Sequence, residues 1–154
     1  MTNHFRIAAA VVVSVLHSAS LPAQELSPAA LESTGLKIVW SSQAVLNTGR
    51  DHVSYLTNDE ELVYVQSSAG VVTALNAENG RRMWASQVGM NDEHAMPAAS
   101  NRDTLLVPTG PVVNGLNKFS GEELFSFRLP AQPSAAAGMD ENSFFIPLVD
   151  GSVS

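Results

Sequence analysis

The feature of this sequence that most restricts its fold is a group of residues that returns after 41 positions. The group consists of a leucine, a glycine and an aromatic residue: Leu75, Gly80 and Trp84, then Leu116, Gly121 and Phe125. Ahead of the group, the apolar run 62–65 recurs as 104–107, one residue out of step, which a single-residue difference in one loop explains. A third copy begins further on, because residues 144–147 repeat 105–108. Such recurrence indicates several copies of one structural unit.

Each unit is expected to contain four short strands. Runs of β-forming residues alternate with turn residues, and residues 36–154 show no sustained helical period. In the second unit the predicted strands cover about 97–100, 104–109, 112–118 and 123–129. A period near 40 residues with four antiparallel strands is typical of β-propeller blades, which are arranged radially around a channel. The alternative is a β-sandwich, which explains the strands but not the recurring Leu, Gly and aromatic residue.

The sequence divides into three predicted parts. Residues 1–23 form a signal peptide, 24–35 a lead-in segment and 36–154 the repeats. The predicted blades cover about 53–89, 95–130 and 134–154. We therefore expect an all-β fold with an incomplete ring, since propellers have about four to eight blades.

The first 23 residues follow the pattern of a secretory signal peptide. Arg6 supplies a basic start, residues 7–16 are apolar apart from Ser14, and small residues precede the expected cleavage site after Ala23, with Ser20 as the competing site. As a helix the apolar run would cover about 15 Å, roughly half of a membrane's hydrocarbon core. The alternative is a buried N-terminal helix. We expect an exported protein, periplasmic or extracellular, that is soluble after cleavage and has no transmembrane segment.

Composition excludes several classes of function. The net charge is −7, and the eight Lys and Arg residues are scattered, so no basic face is available for nucleic acid. The absence of cysteine excludes disulfides, thiolate metal sites and a thiol nucleophile.

One segment of the first unit carries a family resemblance. Residues 74–84 read Ala-Leu-Asn-Ala-Glu-Asn-Gly-Arg-Arg-Met-Trp and resemble the pyrroloquinoline-quinone (PQQ) type repeat, whose consensus is A-x-D-x-x-T-G-K-x-x-W. Ala74, Gly80 and Trp84 match outright, and Asn76 stands for the aspartate. The second unit keeps the glycine, Gly121. The chain thus resembles PQQ-like propellers of the BamB type over about residues 36–154.

The resemblance implies structural roles for the repeated residues. The small residue allows close packing of a neighbouring blade, the glycine allows a left-handed hairpin, and the tryptophan lies between blades. The predicted structural set is Ala74, Asn76, Gly80, Trp84, Leu116, Gly121, Phe125, Gly151 and Trp40. The strand around Trp40 resembles the last strand of a blade, but the first three strands of such a blade do not precede it. We expect residues 37–43 to close a ring by pairing with C-terminal strands outside this sequence.

Candidate chemical groups are few. Residues 91–94, Asn-Asp-Glu-His, offer metal-ligand atoms on a loop, but such a cluster is more often a solvated turn. Residues 59–61, Asp-Glu-Glu, and 140–142, Asp-Glu-Asn, occupy corresponding places and are interpreted as turns. No nucleophile elbow, phosphate loop or dinucleotide motif is present. We assign no catalytic, cofactor-binding or metal-binding residue.

Two functions remain open at the level of sequence. The first is an exported, non-catalytic scaffold of the cell envelope that binds protein partners and needs no cofactor. The alternative, implied by the resemblance, is the N-terminal part of a PQQ-dependent quinoprotein dehydrogenase that oxidises alcohols or sugars with PQQ and calcium. Whether the protein is an enzyme stays undecided, and a non-enzymatic role is favoured.

Overall fold

The computed structural model describes residues 9–13, 35–46, 49, 51–90 and 93–154. Within these ranges the chain forms strands and turns and contains no helix, so none is long and apolar enough to cross a bilayer. The predicted all-β fold is confirmed.

The N-terminal part contains two paired strands. Strand β1 (Ala9–Val13) runs parallel to β2 (Lys37–Ser42). The hydrogen-bonded neighbour of β2 in this structure is therefore β1, whereas the sequence predicted pairing with strands beyond its C-terminal end. The rest of the predicted signal peptide and most of the lead-in segment lie outside the described residues. Both assignments stay predictions.

The next four strands form one antiparallel sheet. They are β3 (Val53–Asn58), β4 (Leu62–Ser67), β5 (Val71–Asn76) and β6 (Arg82–Gln87). Each strand pairs with the one that follows it in the chain, in the order β3-β4-β5-β6.

The following four strands repeat this sheet separately. They are β7 (Ala99–Ser100), β8 (Thr104–Thr109), β9 (Val112–Asn117) and β10 (Glu123–Arg128), joined in the same order. Strand β7 is shorter than predicted because the amide of Ala98 donates to Gln66 Oε1 of the first sheet at 2.7 Å instead of joining β8. The loop before β9 has two residues, 110–111, where the loop before β5 has three, 68–70. This difference is the predicted one-residue slip.

A third, partial unit follows. It contains β11 (Gly138–Met139) and β12 (Phe144–Phe145), which pair antiparallel, and two isolated bridges, Pro133 to Leu148 and Pro147 to Val153.

The apolar core lies between successive units. Strand β4 illustrates this arrangement, because Leu62 and Tyr64 face the second sheet while Val63 and Val65 face the segment that contains Trp40. A further cluster joins the second sheet to the third unit: Leu106, Val113, Leu129, Ile146 and Leu148. Each sheet consists of four consecutive strands paired in chain order, and the repeated sheets pack one after another along the chain, which is the arrangement of propeller blades. We call β3–β6 blade 1, β7–β10 blade 2 and residues 130–154 the third unit.

Candidate functional site

A tryptophan joins blade 1 to blade 2. Trp84 lies opposite Ala74 on the neighbouring strand and is 8% exposed. Its indole nitrogen donates to the backbone carbonyl of Lys118 in blade 2 at 2.8 Å. Its ring covers Gly121, where an added Cβ atom would lie 2.5 Å from the ring carbon Cε3. The indole therefore binds at one specific position on the hairpin of the next blade, over the glycine and beside the accepting carbonyl. We call this position its seat.

The same contact occurs one step earlier in the chain. Trp40 donates to the carbonyl of Ala77 at 2.9 Å, and its ring covers Gly80 at 2.5 Å from an added Cβ position. Ala77 and Gly80 precede Lys118 and Gly121 by 41 residues each. Strand β2 therefore occupies the place that the last strand of a preceding blade would take.

Phe125 has different surroundings. Its ring lies over Gly115 of its own blade, stacks against Phe127 with centroids 6.1 Å apart, and is 38% exposed. The described third unit presents no glycine hairpin to it. Gly151 has φ +86° in an exposed turn and corresponds to Gly70, not to the hairpin glycines.

The remaining residues of the repeat set shape the hairpins and the core. Asn76 Oδ1 accepts the amides of Glu78 at 3.1 Å and Asn79 at 3.0 Å, and Asn117 accepts from its own hairpin in the same way. Side chains of this kind favour tight turns. Leu116 is buried between the blades.

Substituting Gly121 with alanine tests the seat of Trp84. We expect a loss of about 2–4 kcal/mol in the free energy of unfolding, because φ is +74° and the methyl group would overlap the indole. Gly151→Ala is the matched control, since φ is also positive there but nothing lies within 4 Å of the new Cβ. It should cost only about 1 kcal/mol in chemical denaturation. Equal losses in the two variants would contradict the seat.

A polar cluster crosses the same boundary between blades. Asp59 Oδ2 accepts the hydroxyls of Tyr64 at 3.0 Å and Ser100 at 2.9 Å, and pairs with Lys118 Nζ at 3.0 Å. Lys118 also pairs with Glu61 at 2.8 Å, and its side chain is 5% exposed. Asp59 and Tyr64 belong to blade 1, while Ser100 and Lys118 belong to blade 2. The cluster thus fixes the register of the two blades.

The cluster shifts the pKa values of its members. Burial opposes ionisation of Asp59, but hydrogen bonds from the Leu62 and Glu61 amides and from Lys118 outweigh it and lower its pKa to about 2. Burial and the neighbouring Asp59 charge raise the pKa of the Tyr64 phenol far above its usual range. Burial works against protonated Lys118, yet its two carboxylate partners raise its pKa. Asp59 and Lys118 therefore stay charged across the physiological range.

The sequence predicted the turn at Asp59 but missed the contacts to blade 2. As predicted, Asp59 Oδ1 accepts the amides of Glu61 and Leu62, and Asp140 makes the same turn in the third unit. Only Asp59 also reaches a neighbouring lysine. A signal was available, because Lys118 occupies the position that Ala77 holds in blade 1, and a charge in place of a small residue suggests a specific partner.

The loop residues 93–94 border a cleft at the opposite end of the blades. The cleft has a volume of about 270 Å³, and its lining includes Ser54, Tyr55, Met90, Glu93 and His94. Glu93 Oε2 accepts the amide of Met90 at 3.1 Å. Asn91 and Asp92 lie outside the described residues. In the part of the chain that the structure describes, no three His, Cys, Asp or Glu side chains come together to hold a metal.

A second groove, which the sequence did not indicate, lies beside the boundary between the blades. It has a volume of about 340 Å³ and is lined by Glu60, Glu61, Leu62, Asn76, Glu78, Met83 and Phe119. Met83 is 40% and Phe119 45% exposed, so apolar surface reaches solvent between carboxylates. Exposed apolar surface with a polar rim is typical of a protein-binding site. We define these seven residues as the seam groove.

Repeated four-stranded blades, joined by a last-strand tryptophan on the next hairpin, define a β-propeller architecture. The family model described as outer membrane protein assembly factor BamB matches residues 28–94, which confirms the resemblance to PQQ-like, BamB-type propellers. No curated protein sequence matches the chain.

Several solved structures share the fold, among them the three that follow. BamB from Moraxella catarrhalis matches with a TM-score of 0.54 and 20% identity, over 64% of this chain and 29% of that one. The computationally designed Ika8 protein matches with a TM-score of 0.54 and 14% identity, over 66% of this chain and 32% of that one. The C-terminal WD40 domain of Sif2 matches with a TM-score of 0.62 and 14% identity, over 76% of this chain and 34% of that one. This chain spans about a third of the length of each, and the likeness establishes the fold alone.

Proposed function

We propose that this protein is an exported, non-catalytic PQQ-like propeller that acts as a protein-interaction scaffold in the cell envelope. The family model that matches residues 28–94 describes an outer membrane assembly factor, which supports an envelope role. The predicted signal peptide supports export. No cofactor is required for such a role.

The observation that carries the proposal is the seam groove. Two of its three apolar side chains, Met83 and Phe119, stay exposed beside a boundary where Leu62 and the rest of the core cluster are buried. Its neighbouring polar groups are engaged in structure, because Asp59 forms a turn and Glu61 pairs with Lys118. The groove therefore offers exposed apolar contact area to a partner, bordered by the carboxylates of Glu60, Glu61 and Glu78, of which Glu61 is already paired within the fold.

Site-specific photo-crosslinking in producing cells tests the proposal. A photoreactive phenylalanine analogue at Met83 or Phe119 should yield a discrete crosslinked envelope protein. The same analogue at Phe145, which is 54% exposed in the third unit, is the matched control and should yield none. The protein should also be released with the envelope fraction.

Two results would contradict the scaffold function. Retention of the protein in the cytoplasmic fraction would exclude an envelope role. Saturable binding of PQQ in the presence of calcium, followed by dye-linked oxidation of an alcohol, would support the dehydrogenase alternative instead.

A further inference from the structure

We propose that Asn79 is a site of spontaneous deamidation and that the docking of Trp40 on Gly80 controls the reaction. The isoaspartate product would alter the hairpin that Trp40 of the N-terminal strand contacts. Modification at Asn79 would therefore weaken the contact by which Trp40 attaches β2 to blade 1.

The sequence contains two Asn-Gly pairs, and the structure places them in opposite environments. Asn79 is exposed in the hairpin between β5 and β6, where its Oδ1 accepts the amide of Arg81 at 3.0 Å. Asn114 is buried in β9, and its amide nitrogen donates to Thr109 Oγ1 at 2.9 Å while its oxygen accepts from Ser126. A glycine after asparagine leaves the following amide nitrogen unobstructed, because it has no Cβ atom. Of the two asparagines, Asn79 is the one exposed to solvent.

The reaction needs no reagent other than water. The backbone nitrogen of Gly80 attacks Cγ of Asn79, a C–N bond forms, and the side-chain amide leaves as ammonia with the proton that Gly80 loses. Water then opens the resulting five-membered succinimide ring at one of its two carbonyls. The products are aspartate or isoaspartate, and the isoaspartate carries one additional methylene group in the main chain. No oxidation or reduction occurs.

Two contacts oppose the attack in the docked state. The Gly80 amide donates to the carbonyl of Asn76 at 2.9 Å, which holds the nitrogen away from the Asn79 side chain. The Trp40 ring covers Gly80 so closely that an added Cβ atom would lie 2.5 Å from it. Rotation of the Asn79–Gly80 peptide would break the first contact and collide with the second. The reaction therefore proceeds when Trp40 has left its seat.

The isoaspartate product prevents Trp40 from returning. An isoaspartate lengthens the hairpin directly beside the indole seat, which has no spare volume. An aspartate would keep the acceptor for the Arg81 amide and leave the seat intact. Blade 2 has Ser120 at the corresponding position, so the contact between Trp84 and Gly121 is not exposed to this reaction.

The test uses the purified full chain, incubated in oxygen-18 water at mildly alkaline pH and analysed by peptide mapping that separates aspartate from isoaspartate. We expect label at residue 79 and none at residue 114. Trp40→Ala should raise the rate at residue 79 by about tenfold, equivalent to ~1.4 kcal/mol of lost protection, without change at residue 114. In urea both asparagines should react.

Matched variants keep the test decisive. Asn79→Ser copies blade 2 and should abolish the label while leaving the fold intact. Should Trp40→Ala unfold the chain, Asn114 will report this by taking up label. Trp40→Phe, which loses the bond to Ala77 and has a smaller ring but keeps an aromatic side chain, then replaces it. Equal label at residues 79 and 114 in the native protein, or a rate at residue 79 that is unaffected by both Trp40 variants, would overturn the proposal.

Discussion

Replacing Trp84 with alanine is expected to lower the free energy of unfolding by about 3–5 kcal/mol. The indole is almost fully buried between the blades and contacts the core cluster that contains Tyr64 and Ala74. Alanine would leave a cavity at this boundary and an unpaired carbonyl at Lys118. Urea titration followed by circular dichroism measures the loss.

Trp84→Phe separates the two contributions of this side chain. It keeps most of the apolar contact but removes the indole donor. We expect a loss of about 1–2 kcal/mol, which combines a missing hydrogen bond with a smaller ring. A loss below about 1 kcal/mol for Trp84→Ala would contradict the account, because it would place the side chain outside a packed boundary.

Replacing Asp59 with alanine should lower the free energy of unfolding by about 3 kcal/mol. The change leaves the buried Lys118 with Glu61 as its remaining carboxylate partner, and it removes the acceptor of the Tyr64 hydroxyl. Removing one partner of a buried ion pair typically costs about 3–5 kcal/mol, and the partial exposure of Asp59 places this case at the lower end. Chemical denaturation at neutral pH is the measurement.

Asp59→Asn is the matched control because blade 2 has Asn101 at this position. Asn101 Oδ1 accepts the amides of Asp103 and Thr104, so an asparagine forms the turn. The asparagine variant should therefore lose only the charged contacts, about 1–2 kcal/mol. An alanine variant no less stable than the asparagine variant would contradict a structural role for the turn oxygen.

The unaltered protein and Asp59→Asn, compared by chemical denaturation at several pH values, test how stability depends on pH. The folded pKa of Asp59, about 2, lies below its unfolded value, so its contribution is fully present above about pH 4 and is lost as the pH falls through 2. The contribution of Lys118 to stability depends on pH in the opposite direction. Because its folded pKa is raised, this contribution is present at neutral pH and is lost in strong alkali. The fall in the free energy of unfolding between about pH 4 and pH 2 should therefore be smaller in Asp59→Asn than in the unaltered protein.

The repeat, the blade strands and the one-residue slip could be predicted because each depends on local pattern. Apolar runs and hairpin glycines determine where β5 and β9 begin and end, and these features survive the change from Trp84 to Phe125. The surroundings of Phe125 could not be predicted, since they depend on whether a following hairpin is present to receive its ring.

The Asp59–Lys118 pair could not be read from local pattern for a different reason. The two residues lie 59 positions apart in the chain, and their meeting depends on the packing of blade 1 on blade 2. The seam groove is likewise a product of that packing. Local propensity identifies a turn at Asp59, but only the assembled boundary shows which of its oxygens remains to bind a partner.

Nuclear Overhauser measurements on the isotope-labelled protein test the central claim most directly. If blades 1 and 2 are separate sheets joined by the Trp84 indole, we expect cross-peaks between the Trp84 ring and the Gly121 Hα protons. We expect none between backbone protons of β4 and β8. Backbone cross-peaks that join β4 to β8 in one continuous sheet, together with a Trp84 ring that contacts no residue of blade 2, would contradict it.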